Sequence, residues 1–252
     1  MAPRGSRAVS GHPPRPRRGR TRADLARLGP YENQADALGQ LFARHGYAFL
    51  YLFRRGVGLS ADQGTSAVEL MEREAAAHGR DARNALQLEL LDGGDMADTR
   101  AGLALPRALA DVDARRVAVV GQSFGGSLAV LLAESEPSVR AFVVFSAAGY
   151  SWDRSPPLRT RLLAAVARAA APMFFIHAAN DYSVTSGQAL DARLAELGKP
   201  HRLKIHPAVG KTADDGHGFM YDSVGAWEAD VFRVSRRGHA RAIGVNRPAC
   251  TS

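Results

Sequence analysis

The stretch VAVVGQSFGGSLAVLLAE, residues 117–134, sets a hydroxyl on the joint between two apolar segments. Its centre is Gly121-Gln122-Ser123-Phe124-Gly125, a G-x-S-x-G pattern, with an apolar run before it and a helix-like pattern after it. A sharp strand-to-helix turn there would hold the serine in a strained conformation and push its oxygen above the sheet. The free N–H groups of the following helix terminus would then point toward any developing anion. A serine nucleophile needs a base, and the base needs a group to orient it. Downstream, AAND ends at Asp181, and AVGKTADDGHGF carries His217. These residue types support acyl transfer: His217 takes the proton of Ser123 as it attacks a carbonyl, and Asp181 holds the imidazole.

The alternatives for each role are weaker. His177 lies inside an apolar run, where burial is its expected fate, and His201 and His206 sit on a further strand-like run. Asp214 and Asp215 precede His217 and should shape its loop, and Asp222 is a reserve for the orienting role.

Four short runs that could carry these residues follow one another along the chain: RVAVV (116–120), AFVVFSAA (141–148), MFFIHAA (173–179) and the more polar HRLKIHPA (201–208), which suits a sheet edge. An earlier run, YAFLYLF (47–53), also reads as a buried strand. Helical spacing is expected at 33–45, 64–91, 97–111, 125–134, 158–171, 188–197 and from 227 to 233. Strands alternating with helices predict an α/β fold, a mostly parallel sheet with helices on both faces. Ligands on such sheets gather at the C-terminal strand ends. Ser123, Asp181 and His217 each follow a strand, in the chain order Ser, Asp, His expected of α/β-hydrolases.

The totals narrow the class. A chain of 252 residues with 46% hydrophobic content supports one sizeable core. The net charge is +8, yet seven arginines fall in residues 1–22 and five in 231–252, so residues 23–230 carry a net −4. The basic ends lack interleaved aromatics or a reading motif, so no specific nucleic-acid binding is expected. No apolar run reaches membrane-spanning length. No signal-peptide core is visible, and the one cysteine is Cys250, so a cytoplasmic location is expected. RRGVGLS (54–60) lacks the lysine and spacing of a phosphate loop, and the histidines do not cluster at metal-ligand spacing, so no cofactor or metal is expected. The expected organisation is a basic disordered tail over 1–22, a domain over 23–233 and a second basic tail over 234–252.

The segments GQSFGG, FSAAGYSWDRSPPL, FIHAANDYS, GKPHRLKI and DDGHGF resemble the dienelactone hydrolase family of α/β-hydrolases, as does residues 32–66. The likeness runs from about Tyr31 to about Phe232. It implies a Ser123–His217–Asp181 triad, with serine where several family members use cysteine. It also implies a small-molecule ester or lactone as substrate. One oxyanion N–H would come from Phe124. The second should follow an early strand ending in His-Gly, but RGRTRADLARLGP stands there instead, and Tyr31 is the nearest backbone donor. That strand would lie between the 47–53 and 116–120 runs, so the early strands are expected to be missing or degraded. Two readings of the ends stand open: a wrong start or shifted frame, or a rebuilt sheet edge. Tyr150, Trp152, Tyr182, Phe219 and Met220 are candidates for an acyl pocket, and Arg54 and Arg55 for a substrate carboxylate, with ion pairing as the plainer role. The alternatives are a prolyl-oligopeptidase-like serine peptidase, limited to small peptides by the short 148–173 connection, a catalytically impaired hydrolase-fold protein, and a polyanion binder using the basic ends. Oligomeric state is left open.

Overall fold

A computed structural model describes residues 30–232. The expected tails at 1–22 and 234–252, residues 23–29 and residue 233 lie outside the described residues. The helices are α1 (Pro30–Arg44), α2 (Ala67–Asp92), α3 (Gly94–Arg107), α4 (Phe124–Leu132), α5 (Pro156–Arg168), α6 (Thr185–Glu196), α7 (Ala213–His217), α8 (Phe219–Asp222) and α9 (Val224–Val231). The strands are β1 (Val119–Gln122), β2 (Phe142–Phe145), β3 (Met173–Ala178) and β4 (His201–His206). They form a parallel sheet in the order β1-β2-β3-β4. The more polar β4 lies at one edge, as its composition suggests. Among the described residues no helix is long and apolar enough to cross a membrane.

Successive strand residues alternate between two cores. Phe142, Val144, Met173 and Phe175 pack with Leu91 of α2, Leu103 of α3, Leu131 of α4, Leu162 of α5 and Leu190 of α6. Val143, Phe145, Phe174 and Ile176 pack on the opposite face with Leu38 and Leu41 of α1 and Trp227 of α9. Burial on both faces explains why these strands read as continuous apolar runs. Local signals set the helix ends: Ser66 and Ser155 cap α2 and α5 by accepting N–H bonds from Glu69 and Leu158.

The expected strand at 47–53 is a correction. It forms no ladder with another strand among the described residues. Its side chains still alternate: Phe49 stacks on Phe42 of α1 at 4.7 Å, with Tyr51 and Phe53 following along the same side. Leu52 faces Gly102 of α3. The physical reason is a missing neighbour. A cavity of about 770 Å³ separates residues 47–53 from residues 117–122. A ladder needs a partner about 4.8 Å away, and here that place is cavity. The N–H of Val119 bonds the Ala141 carbonyl and that of Ser123 the Phe145 carbonyl. By the period of two, the backbone groups of Val120 and Gln122 face the cavity instead. Among the described residues no strand precedes β1, and the RGRTRADLARLGP segment, where a further strand was expected to be missing, lies almost wholly outside them.

Candidate active site

Ser123 follows β1 directly, with φ 54° and ψ −115°. This conformation is rare for a residue with a Cβ and is typical of a tight, functional turn. The neighbouring glycines make the turn possible. A Cβ on Gly121 would lie 2.3 Å from the Gly125 carbonyl oxygen, and one on Gly126 would lie 3.0 Å from the Phe145 oxygen. Gly125, by contrast, has open space where its Cβ would be. The close approach of helix and sheet therefore rests on Gly121 and Gly126, and not on Gly125.

Asp181 sits just past β3, and its side chain is fully buried. His217 ends α7, beyond β4. The two loops are fastened together by Asn180, whose Nδ2 donates to the carbonyls of Val209 and Thr212, both at 2.7 Å, while its Oδ1 accepts from Val209 N at 2.9 Å. A Cβ on Gly216 would fall 2.5 Å from the Asn180 carbonyl carbon, so only glycine allows the loops this close. Thr212 and Asp215 form a reciprocal capping box at the start of α7. Asp215 thus shapes the loop, as its position suggested. Asp214 accepts from the Tyr182 hydroxyl.

These elements bring the three residues into line. His217 Nε2 lies 2.7 Å from Ser123 Oγ, and His217 Nδ1 lies 2.7 Å from Asp181 Oδ1. An ionised carboxylate only accepts, so Nδ1 carries a proton and Nε2 is left to accept from the serine. Burial pushes the Asp181 carboxyl up, but hydrogen bonds from His177, His217 and Ser146, with the charge of His217, together hold it below the ordinary carboxylate value. Gln122 Nε2 donates to the His217 carbonyl at 2.9 Å, which ties the histidine's backbone to the turn. Asp222, the reserve candidate, is exposed at the end of α8.

Phe124 is the first residue of α4, so its N–H precedes the first helical bond. Tyr31 lies in the first turn of α1, half exposed, on the wall of the same cavity as His217 and Gln122. The aromatic candidates divide. Tyr182 meets the His217 ring edge-on at 5.1 Å, and Tyr150 meets Tyr182 at 5.4 Å. Met220 belongs to the core and also borders the cavity, whereas Trp152 and Phe219 are core residues alone. Arg54 and Arg55 pair with Asp95 and Asp98 at 3.4 and 2.7 Å, the plainer of their two expected roles. His177 is buried, as its apolar run suggested, but its bond to Asp181 was not foreseen, and no role was assigned to Ser146 or Gln122. The visible signal for His177 was its place four residues before Asp181 on the same strand end.

A parallel sheet covered on both faces, with a serine on a strained strand-to-helix turn, defines an α/β-hydrolase. The sequence matches the dienelactone hydrolase family over residues 29–235, and the chain belongs to that family. Among solved structures it is similar to the Pyrococcus horikoshii acylaminoacyl peptidase (18% identity, TM-score 0.43, 54% of this chain and 26% of that one). It is similar also to a Mycobacterium tuberculosis puromycin-hydrolyzing peptidase (17% identity, TM-score 0.42, 60% of this chain and 28% of that one). A Pyrococcus furiosus esterase gives 15% identity and a TM-score of 0.40, over 54% of this chain and 58% of that one. The chain thus spans under two thirds of each of these proteins, and little more than a quarter of the two peptidases. No curated protein matches it by sequence.

Proposed function

We propose that this chain is a serine hydrolase that cleaves small carboxylic esters or lactones through an acyl-enzyme. The observation that carries the reading is the unbroken hydrogen-bonded path from Ser123 through His217 to Asp181, with both contacts at 2.7 Å. Ser123 Oγ attacks the carbonyl carbon while His217 Nε2 takes its proton. Asp181 stabilises the imidazolium and keeps its ring in place. The oxyanion accepts from the Phe124 N–H at the positive end of α4, with the Tyr31 backbone as the second donor. His217 returns the proton to the leaving alkoxide. Water, deprotonated by the same ring, then releases the acid.

The test is a fluorophosphonate probe with the adduct mapped by mass spectrometry, beside assays on p-nitrophenyl esters and aminoacyl-anilides. Labelling is expected at Ser123 and lost in Ser123→Ala and His217→Ala, with ester turnover falling by roughly 10³-fold or more. Folded wild-type protein that takes no label would overturn the proposal. Faster cleavage of anilides than of esters would replace the ester reading with a small-peptide one.

A further inference from the structure

The Asp181 carboxylate is shared between two imidazoles. Its Oδ1 receives His217 Nδ1 at 2.7 Å and the Tyr182 N–H at 2.8 Å. Its Oδ2 receives His177 Nδ1 at 2.9 Å. His177 lies on β3 with its side chain fully buried. Its other ring nitrogen, Nε2, is buried with no hydrogen-bond partner among the described residues. That nitrogen abuts Gly187 of α6, where a Cβ would come within 2.5 Å.

An apolar side chain at position 177 would fill this space without leaving a buried nitrogen unpaired. The imidazole offers what an apolar side chain lacks, a donor aimed at the carboxylate oxygen that His217 leaves free. The terminal torsion of an aspartate is broad, so one well-held oxygen does not fix the other. With Oδ2 held by His177, rotation of the carboxylate is blocked and Oδ1 stays on His217. We infer that His177 is a positioning residue for this site: it holds Asp181 in the orientation that aligns His217, and touches neither substrate nor reacting atoms. The inference rests on the Ser123–His217–Asp181 reading given above. It assigns His177 the tautomer with a proton on Nδ1, because the carboxylate it faces can only accept.

The first measurement reads the wild-type protein and needs no turnover. Histidine 15N-labelled wild-type protein is examined by long-range 1H–15N NMR, with resonances assigned through single-histidine substitutions. A His177 ring protonated at Nδ1 is expected, with a low-field proton that exchanges slowly. The Nε2–H tautomer, with Nδ1 bare, would overturn the inference. The second measurement compares His177→Leu with His177→Asn, whose Nδ2 can take the place of the imidazole donor. Ester kcat is expected to fall roughly 10–100-fold in the leucine variant, with KM within about twofold and the low-field His217 proton broadened. Asparagine should recover kcat to within about fivefold of wild type. A folded leucine variant with wild-type kcat and an unchanged His217 proton would refute it. So would asparagine no better than leucine at equal thermal stability. If Ser123 takes no label and no ester is cleaved, the functional proposal fails, while the His177 and His217 resonances still decide this one.

Discussion

Replacing Gly149 by alanine should damage the site while sparing the fold. Gly149 is buried, and an added Cβ would stand 2.9 Å from Asp181 Oδ1, 3.2 Å from Oδ2 and 3.3 Å from His217 Cε1. A carbon and an oxygen rest comfortably at about 3.3 Å or more, so the carboxylate must retreat by roughly 0.4 Å or more. It cannot turn aside freely, since His177, Tyr182 N and His217 hold it from three sides. A displacement of about 0.5 Å is the tolerance within which a catalytic constellation still works. Losing a hydrogen bond to a charged group is worth about 1.5–3 kcal/mol, or roughly 10–150-fold in rate. The backbone of Gly149 is not in the left-handed region, so alanine adds little strain and reduces the freedom of the unfolded chain, leaving stability within about 1 kcal/mol. The assay is kcat and KM on p-nitrophenyl acetate beside a thermal melt. A low kcat at unchanged midpoint is expected. A kcat within twofold of wild type in a protein of unchanged stability would refute the claim that the Asp181 position is critical.

Three further outcomes concern stability. Glu134 accepts from Arg161 and Arg168, with Asp92 also on Arg161, and the bond from Arg161 above all holds its carboxyl below the ordinary value; Glu134→Gln should cost about 1–2 kcal/mol in a denaturant melt, and no loss would show the network to be ornamental surface charge. Glu134, Asp181 and Asp230 all titrate below their reference values of 4.5, 3.8 and 3.8, and a group depressed on folding contributes stability that is present above its unfolded pKa and lost as pH falls through the folded one. His206, pushed below its reference 6.5 chiefly by burial, acts in the same direction, so the midpoint should begin to drop below about pH 6.5 and fall more steeply below about 4.5; a midpoint that rises on acidification would contradict this. The side of β1 that has no ladder partner among the described residues, beside a 770 Å³ cavity, predicts a melting midpoint below about 60 °C and light scattering that grows with protein concentration, and a cooperative, reversible melt at or above that temperature would count against both.

The elements that read clearly from sequence were those whose evidence is local. The run before Ser123 and the helix after it are set by apolar periodicity, and all four paired strands lie within the expected runs or slightly displaced, as β1 is toward Gln122. The order Ser, Asp, His after β1, β3 and β4 placed each residue at the same end of the sheet, because parallel strands share a direction. Residues 47–53 misled for the same reason that the others succeeded. Their apolar alternation is real and packs Phe49 against Phe42, but a strand also needs a neighbour, and neighbours are set by the rest of the chain. His177 was hidden by its surroundings: a histidine between Ile176 and Ala178 looks like filler until the carboxylate four residues on folds back against it. Trp152 and Phe219 followed strand ends, as pocket residues do, yet their size was spent on the core. Gly121 and Gly125 flank the serine symmetrically in the motif, yet only Gly121 faces another backbone, which spacing alone cannot show.

The backbone of Ser123, at φ 54°, has a consequence for laboratory evolution. A side-chain-bearing residue held there costs on the order of 1–3 kcal/mol, and glycine would relieve most of it. A library of variants selected for expression or heat resistance alone should therefore enrich Ser123→Gly, discarding the hydroxyl to gain stability. Selection that demands ester turnover should hold serine at that position and recover the lost stability elsewhere, most readily where β1 borders the cavity. The two selections would drive one chain toward opposite answers at a single residue.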